Sequence, residues 1–394
     1  MNYVGTARPI HDAKGKATGY TKYAGDLSLP NMAYLCMLHS KIPHGYVKAV
    51  HAEKALALPG VYGVYHCLNT SERKYNRYRS SFDQAYLANE ERAFNQYVRF
   101  VGDKIGAVAA CDQETAEKAA RLVEVEYEEL PFSIGFDDTF AGKNCLDGET
   151  PVRDEYTLEV GKKQESTEGL IEVCSTMELP RLHHATMETH ACIADYDPYI
   201  DMLTVYCPNQ AVHGIRTVLA DFLEMPESHV RVVKATMGGS FGAKQEWFLE
   251  PVTALVAKKL CRPVKLVYSR GEAMTDTIVR GAMRMSTRGY YTPDGEMKKI
   301  YCDVTLDAGA YIGNAGDYVR ALAGKPTRCY RIPYMHYHGQ VISSNSPVSG
   351  AFRSWSAAEE ALMMERQLDA AAEKLGMDRL AIRLKNVARS GEED

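Results

Sequence analysis

Met237-Gly238-Gly239-Ser240-Phe241-Gly242-Ala243-Lys244 is the stretch on which the reading of this chain turns. Before it, His229-Val230-Arg231-Val232-Val233-Lys234-Ala235-Thr236 is dense in β-branched residues and partly alternates, as a strand does. After it, Trp247, Phe248, Val252, Leu255, Val256 and Leu260 recur at helical spacing. The loop is therefore expected where a helix begins. Glycines there let backbone approach a ligand closely, and the free N–H groups of a helix start favour anions. Phosphate and pterin oxygens both suit such a loop, and so does a plain strand-to-helix turn, since Gly is the default turn residue. The spacing fits neither G-x-x-x-x-G-K-[ST] nor G-x-G-x-x-G, because Gly238 and Gly242 are too close and Gln245 follows Lys244.

Outward from the loop, 394 residues suggest two to three domains with room for proper cores. A net charge of -5 and the lack of any long Lys/Arg run argue against nucleic acid or an anionic membrane as main partner. Met1 to Lys16 has no apolar core of a signal segment, and no stretch reaches the ~20 apolar residues of a spanning helix. A cytoplasmic protein is expected. The ten cysteines, Cys36, Cys67, Cys111, Cys145, Cys174, Cys192, Cys207, Cys261, Cys302 and Cys329, form no C-x-x-C or other tight ligand run. They read as ordinary buried thiols, which places any iron–sulfur relay on another chain.

From Lys22 to about Phe132 short strands mix with a helix. Asp112 caps a helix carrying Ala116, Ala119, Ala120 and Leu122, and Val123-Glu124-Val125-Glu126-Tyr127 alternates as a strand. This predicts a small α/β unit over 1–136. Asp137 to Gly169 is polar and punctuated by Gly142, Gly148, Pro151 and Gly161, so 137–175 reads as a connector. Over 176–394 the pattern predicts a hairpin from Ile193 to Tyr206 turned at Asp197-Pro198, and a helix from His213 to Leu223 closed before Pro226. A strand over Val264 to Tyr268 and a hairpin from Met285 to Ala308 turned at Pro293-Asp294-Gly295 follow. Ser356 with Glu359 three residues on predicts a capping box at the head of a helix ending near Gly376, and Asp378 caps another.

The loop G-G-S-F-G-A-K resembles the G-G-[GS]-F-G-[GA]-K loop of the molybdenum hydroxylases, the xanthine dehydrogenase and aldehyde oxidase family. Ordered matches extend the resemblance over nearly the whole chain. They run through Asp12-Ala13-Lys14-Gly15-Lys16-Ala17-Thr18-Gly19, Tyr23-Ala24-Gly25-Asp26, His44 and Ala57-Leu58-Pro59-Gly60-Val61. Val101 to Val108 and Val123 to Pro131 continue them, then His184-Ala185-Thr186-Met187-Glu188-Thr189-His190 and Gly350-Ala351-Phe352-Arg353. The implied fold class is α+β: a small α/β hammerhead-like domain (1–136), the connector, and the first molybdopterin-binding α+β domain (176–394), the second such domain being absent from the chain.

The resemblance also implies a site. Gln210, in Tyr206-Cys207-Pro208-Asn209-Gln210, matches the glutamine that hydrogen-bonds the molybdenum oxo group, and an amide can donate there without adding charge. Gly238, Gly239, Ser240, Phe241, Gly242 and Ala243 with Ala351, Phe352 and Arg353 form the implied cofactor set, the metal being held through its pterin near Gln210, Phe241 and Arg353. Arg320 aligns with an arginine that binds substrate and stabilises charge developing in the transition state, although one extra residue separates it from Arg353. A surface salt bridge is the other reading of Arg320. Gln245 stands where purine-oxidising members carry a glutamate, which removes a charged acceptor for a purine ring, and Trp355 offers an aromatic face to a flat substrate or narrows the pocket. Ser354, Ser356 and Ala358 replace the family's usual Gly, Gly and Pro, and Ser240 the third loop glycine. Glu188 and His190 lack a third ligand in register and are expected as hydrogen-bonding supports.

In the family, the glutamate base that serves the hydroxylation lies in a later domain, and this chain stops at Asp394, soon after Leu384-Lys385-Asn386. The resemblance thus implies a split subunit like that of nicotinate dehydrogenase-type enzymes. It would be completed by a second molybdopterin subunit with the C-terminal domain, a [2Fe-2S] subunit and an FAD subunit. The expected cofactor is molybdopterin, in its cytosine dinucleotide form, with molybdenum. The expected substrate is a small heteroaromatic, purine or nicotinate-like, or an aldehyde, oxidised with water as oxygen source. Two alternatives stand beside this: a truncated, catalytically silent cofactor-holding or assembly protein, and a stand-alone nucleotide-binding module.

Overall fold

The computed structural model describes residues 4–78, 89–142, 146, 150–163 and 166–391. Cys145 and Gly148 lie outside them.

Two large sheets carry the fold. The first has seven strands in the order Val230–Lys234, Met202–Cys207, Ala191–Asp197, Val264–Val267, Ala33–His39, Lys104–Ala110 and Val61–His66. Lys104–Ala110 is buried along its whole length, because it has a strand on either side and is covered on both faces. Its residues alternate between two cores: Ala107 and Ala109 face the one built around Trp247 and Phe248, while Val108 faces Ala119 of helix Gln113–Ala120. Three of the seven strands come from 1–136 and four from beyond 176, and Ala33–Leu35 pairs in parallel with Val264–Leu266. The expected division of the chain at 136 is therefore not a division of the hydrogen-bonded sheet. A smaller sheet joins Tyr97–Val98, Gly45–His51 and Glu124–Glu129.

The second large sheet has five strands in the order Ile171–Leu179, Ala282–Tyr291, Met297–Gly309, Tyr334–Ser343 and Val152–Gly161. Its pairs are antiparallel except that of Met297–Gly309 with Tyr334–Ser343. Helices Ala357–Leu375 and Ala315–Ala323 supply Met363, Met364, Leu368, Val319 and Leu322 to its core. The stretch 137–175, expected as a connector, is corrected here. Most of helix Gly135–Phe140, the edge strand Val152–Gly161 and the start of Ile171–Leu179 occupy it. Val152–Gly161 reads as polar because an edge strand buries one face only: Tyr156, Leu158 and Val160 pack inward between the exposed Glu155, Thr157 and Glu159.

Both hairpins and the helix Val212–Leu223 form where the spacing predicts. Asp112 accepts from the Thr115 N–H at 2.7 Å, and Asp378 caps Arg379–Asn386 through the Leu380 and Ala381 N–H groups. The box at Ser356 does not form. Ser356 sits at φ +64 with no capping bond, its hydroxyl accepts from Lys325, and Glu359 pairs with Arg280 at 2.9 Å. Buried partners out-compete a local cap there.

All nine described cysteines are free, and four of them, Cys111, Cys174, Cys261 and Cys329, are exposed rather than buried as expected. Among the described residues no helix is long and apolar enough to cross a membrane, and no group of three or more His, Cys, Asp or Glu is arranged to hold a metal ion.

Candidate cofactor-binding site

Val230–Lys234 and Met202–Cys207 are parallel neighbours, so they end at the same edge of the seven-stranded sheet and release Gln210 and the glycine loop side by side. The Gln210 N–H donates to the Lys244 carbonyl at 2.7 Å, and the Ser240 hydroxyl donates to Gln210 Oε1 at 2.5 Å. That bond uses the acceptor end of the amide. Gln210 is exposed, and its Nε2 has no hydrogen-bond partner among the described residues.

The loop also meets Gly350-Ala351-Phe352-Arg353. Gly242 has φ +107, and a Cβ built on it would lie 2.2 Å from the Ala351 carbonyl oxygen, so only glycine permits this approach. Behind the contact, His184 Nε2 bonds the Ala351 carbonyl at 2.8 Å and its ring lies 4.3 Å from that of Phe352. The Arg280 guanidinium lies 4.2 Å from the Phe352 ring on its face and donates to the Arg353 carbonyl at 3.1 Å. The Arg353 side chain is left exposed.

Glu188 and His190 are the supports expected. Glu188 Oε2 accepts from the Gly238 N–H at 2.7 Å and from Lys244 Nζ at 2.6 Å, and His190 Nε2 bonds the Ala243 carbonyl at 3.0 Å. Burial pushes His184 down to about 4 and His190 down to about 3, so both rings are neutral at pH 7. Burial likewise lowers Lys244, against the opposing pull of Glu188.

The helix after the loop starts later than its spacing predicts. Turn continues through Phe248, and the helix is Leu249–Leu260. Its first turn is buried, with Glu250 Oε2 accepting from the Phe248 N–H at 3.2 Å, so this helix start does not face a ligand. Trp247 and Phe248 match the helical period because they are core residues of a turn. The donors open to a ligand belong to the loop itself. The N–H groups of Gly239, Ser240, Phe241 and Gly242 have no partner among the described residues. Phe241 stands at φ +54 and is 54% exposed, an uncommon setting for a large apolar side chain. Close backbone approach, unused donors and an outward aromatic ring suit a large flat ligand rich in acceptor oxygens.

The remaining expected residues sit further out. Gln245 is half-buried, and its side chain has no hydrogen-bond partner among the described residues. Trp355 packs its ring 5.4 Å from Tyr318 and 6.4 Å from Tyr78. Arg320, on the last turn of Ala315–Ala323, pairs through both terminal nitrogens with Asp154 of the edge strand Val152–Gly161. It is thus committed to an ion pair that braces helix against sheet.

Ser354, Trp355 and Ser356 stand in succession at φ +81, +42 and +64. The left-handed region costs a non-glycine residue roughly 1–2 kcal/mol, and a glycine gives back part of that gain in unfolded-state entropy. Ser354→Gly is therefore expected to raise stability by about 0.5–1 kcal/mol, read as a higher thermal midpoint; a lower midpoint would show that the serine is held by more than its backbone.

Spacing in the sequence marks no role for Arg280, Asn209 or Asn314, whose side-chain partners lie far along the chain. His184 falls within a matched segment, but only the fold brings it against Ala351, 167 residues on.

Residues 149–387 match the family model of the molybdopterin cofactor-binding domain. Residues 18–131 match that of the aldehyde oxidase and xanthine dehydrogenase a/b hammerhead domain. A xanthine dehydrogenase molybdenum-binding subunit of Escherichia coli O157:H7 is 31% identical, over 97% of this chain and 51% of its own length. A nicotinate dehydrogenase large molybdopterin subunit of Eubacterium barkeri is 30% identical, over 96% of this chain and 88% of its own length. The solved aldehyde oxidoreductase from Desulfovibrio gigas superposes with a TM-score of 0.91 at 25% identity, covering 99% of this chain and 44% of that one. The chain spans about half the length of most of these relatives, and nearly the whole of the nicotinate dehydrogenase subunit.

Proposed function

The chain belongs to the xanthine dehydrogenase and aldehyde oxidase family of molybdenum hydroxylases as a molybdopterin-binding subunit, and from that premise we propose that it forms one wall of a molybdenum active site shared with partner subunits. The observation that carries this reading is the meeting of Gln210, Gly238–Gly242 and Ala351–Arg353, with four loop N–H donors unused. When bound, the cofactor supplies hydroxylation of an electron-poor carbon with water as oxygen source, and the protein supplies orientation and electrostatics.

Each residue then has a task. The N–H groups of Gly239 to Gly242 donate to oxygens of the cofactor, Phe241 covers it, and Arg353 offers a guanidinium to its pterin or phosphate oxygens. Gln210, its carbonyl end held by Ser240, presents only N–H toward the metal's oxo group. The substrate class is an N-heterocycle of purine or nicotinate type, or an aldehyde; Gln245, an amide in place of an acid, withholds the charged acceptor that a purine ring would use. Trp355 borders it. Arg320, neutralised by Asp154, positions helix Ala315–Ala323. A second molybdopterin subunit carries the glutamate base in this reading, and [2Fe-2S] and FAD subunits carry the electrons away. The pterin form is the cytosine dinucleotide. The nucleotide-module alternative loses its cation, because Lys244 is turned inward onto Glu188.

The test is metal and pterin analysis of the complex purified from cells, with Gln210→Ala beside it. One molybdenum per chain is expected, with turnover in the variant lowered about 100-fold, the usual effect of losing one preorganised donor. A complex free of molybdenum and pterin would leave only the assembly-protein reading; wild-type turnover in the variant would remove Gln210 from the site.

A further inference from the structure

Glu246 is 1% exposed, yet it meets Asn209, Asn314 and Gly350, on three separate segments beside the glycine loop. Its backbone carbonyl accepts from Asn209 Nδ2 at 2.8 Å, and Asn209 Oδ1 accepts from the Ala211 N–H at 2.7 Å, which fixes Gln210 between them. Its Oε1 accepts from Asn314 Nδ2 at 2.7 Å, and Asn314 heads the helix that carries Tyr318 against Trp355. The Ala351 backbone lies near enough to the same carboxyl to favour its charged form. A Cβ on Gly350 would lie 2.6 Å from Oε1, so the Gly350–Arg353 backbone is seated directly on this side chain. One residue, two positions after Lys244, therefore meets the Gln210 turn through its backbone carbonyl and Asn314 and Gly350 through its side chain.

The carboxyl is also short of partners. Glu246 Oε2 is buried with no hydrogen bond among the described residues, as are Asn314 Oδ1 and Ser349 Oγ nearby in the chain path. A buried carboxylate with an empty oxygen is costly, whereas a neutral carboxyl or an amide bears it more easily. Burial pushes Glu246 up to about 8 against the pull of Arg77, with Glu91 adding to the rise, and Tyr78 faces it as well.

We propose that Glu246 is a positioning residue for the cofactor wall, a hydrogen-bonding post whose side-chain shape rather than charge keeps Ala351–Arg353 and the head of helix Ala315–Ala323 seated beside the glycine loop. This rests on the cofactor reading above, so the experiment has two separable arms. In the first, wild type, Glu246→Gln and Glu246→Ala are purified as the cellular complex and assayed for pterin and molybdenum per chain. Glu246→Gln is expected to keep wild-type content within about twofold, and Glu246→Ala to lose about tenfold or more, the scale of losing a group that orients a ligand-holding residue. In the second arm the thermal midpoints of wild-type and Glu246→Gln chains are compared from pH 5 to pH 9.

The sign follows from linkage. A carboxyl raised in the folded state favours folding most below its unfolded value, and that contribution is lost as pH rises to the folded value, here about 8. The wild-type midpoint should therefore fall from pH 5 to 8 relative to that of Glu246→Gln, and the difference should level off above. Asp103 and Glu250, raised by burial to about 6 and about 7, slope alike in both proteins and cancel. Loss of pterin in Glu246→Gln, or its retention in Glu246→Ala, would overturn the post, as would identical pH curves. If wild type itself holds no pterin, the cofactor reading fails and with it the post's task, while the pH arm still reports whether the buried contact exists. Should Glu246→Ala not fold, Glu246→Gln against wild type decides in both arms.

Discussion

Gly242→Ala is expected to cost about 3–5 kcal/mol of folding stability, the sum of placing a side chain in the left-handed region and of overpacking a close contact. The added methyl would meet the Ala351 carbonyl carbon at 2.6 Å and its oxygen at 2.2 Å, and neither is a flexible side-chain end that can swing away. Relief requires the loop and Gly350–Arg353 to move apart, so pterin content should fall with stability. Urea unfolding of the chain measures the first effect. Gly25→Ala is the control: a Cβ there meets nothing within 4 Å, and a change within about 0.5 kcal/mol is expected. Equal stability of Gly242→Ala and wild type would mean that the two loops do not meet as described.

Glu91→Gln carries the second large effect. Glu91 accepts from Arg77, from Lys104 Nζ at 2.8 Å and from the Tyr75 hydroxyl at 2.6 Å, in a place where Arg77 and Lys104 are 2% and 0% exposed. Burial pushes this carboxyl up, but Arg77 and Lys104 outweigh it and hold Glu91 below the usual carboxylate range. Removing its charge leaves two buried cations with Asp276, 3.5 Å from Lys104, as the remaining ion-pair partner among the described residues. Breaking a buried pair in this way costs about 3–5 kcal/mol, whereas Glu128→Gln, which breaks a solvent-screened pair with Lys48, should leave the midpoint nearly unchanged. The loss reaches the site, because the Arg77 and Asn76 carbonyls accept from the Trp247 N–H at 3.2 Å and its Nε1 at 2.7 Å, just beyond Glu246. Denaturant midpoints of the two variants test this; equal midpoints would mean that the buried pair adds nothing.

Much of the fold is legible in the sequence where the signal is local. Alternation and turn residues mark both hairpins, and Asp112 and Asp378 cap the helices they precede, because strand pleat and cap geometry depend on residues within a few positions. Local signals fail where burial chooses a different partner. Val152–Gly161 looks like a connector until its one inward face is packed, and Ser356 looks like a cap until Lys325 and Arg280 arrive from elsewhere in the chain.

The candidate site divides in the same way. By itself the sequence determined which residues are candidates for it: Gln210, Gly238 to Gly242 and Ala351 to Arg353 stand in ordered motifs, and their chemistry suits an oxygen-rich cofactor. Only the tertiary structure decided what each is free to do. It tied Arg320 to Asp154, turned Lys244 inward onto Glu188, buried the helix start behind Phe248 and left the loop's own N–H groups as the open donors. The physical reason is that a hydrogen-bonding group is spent on whichever partner packing brings within about 3 Å, and for Lys244 and Arg320 those partners lie 56 and 166 residues away in the chain.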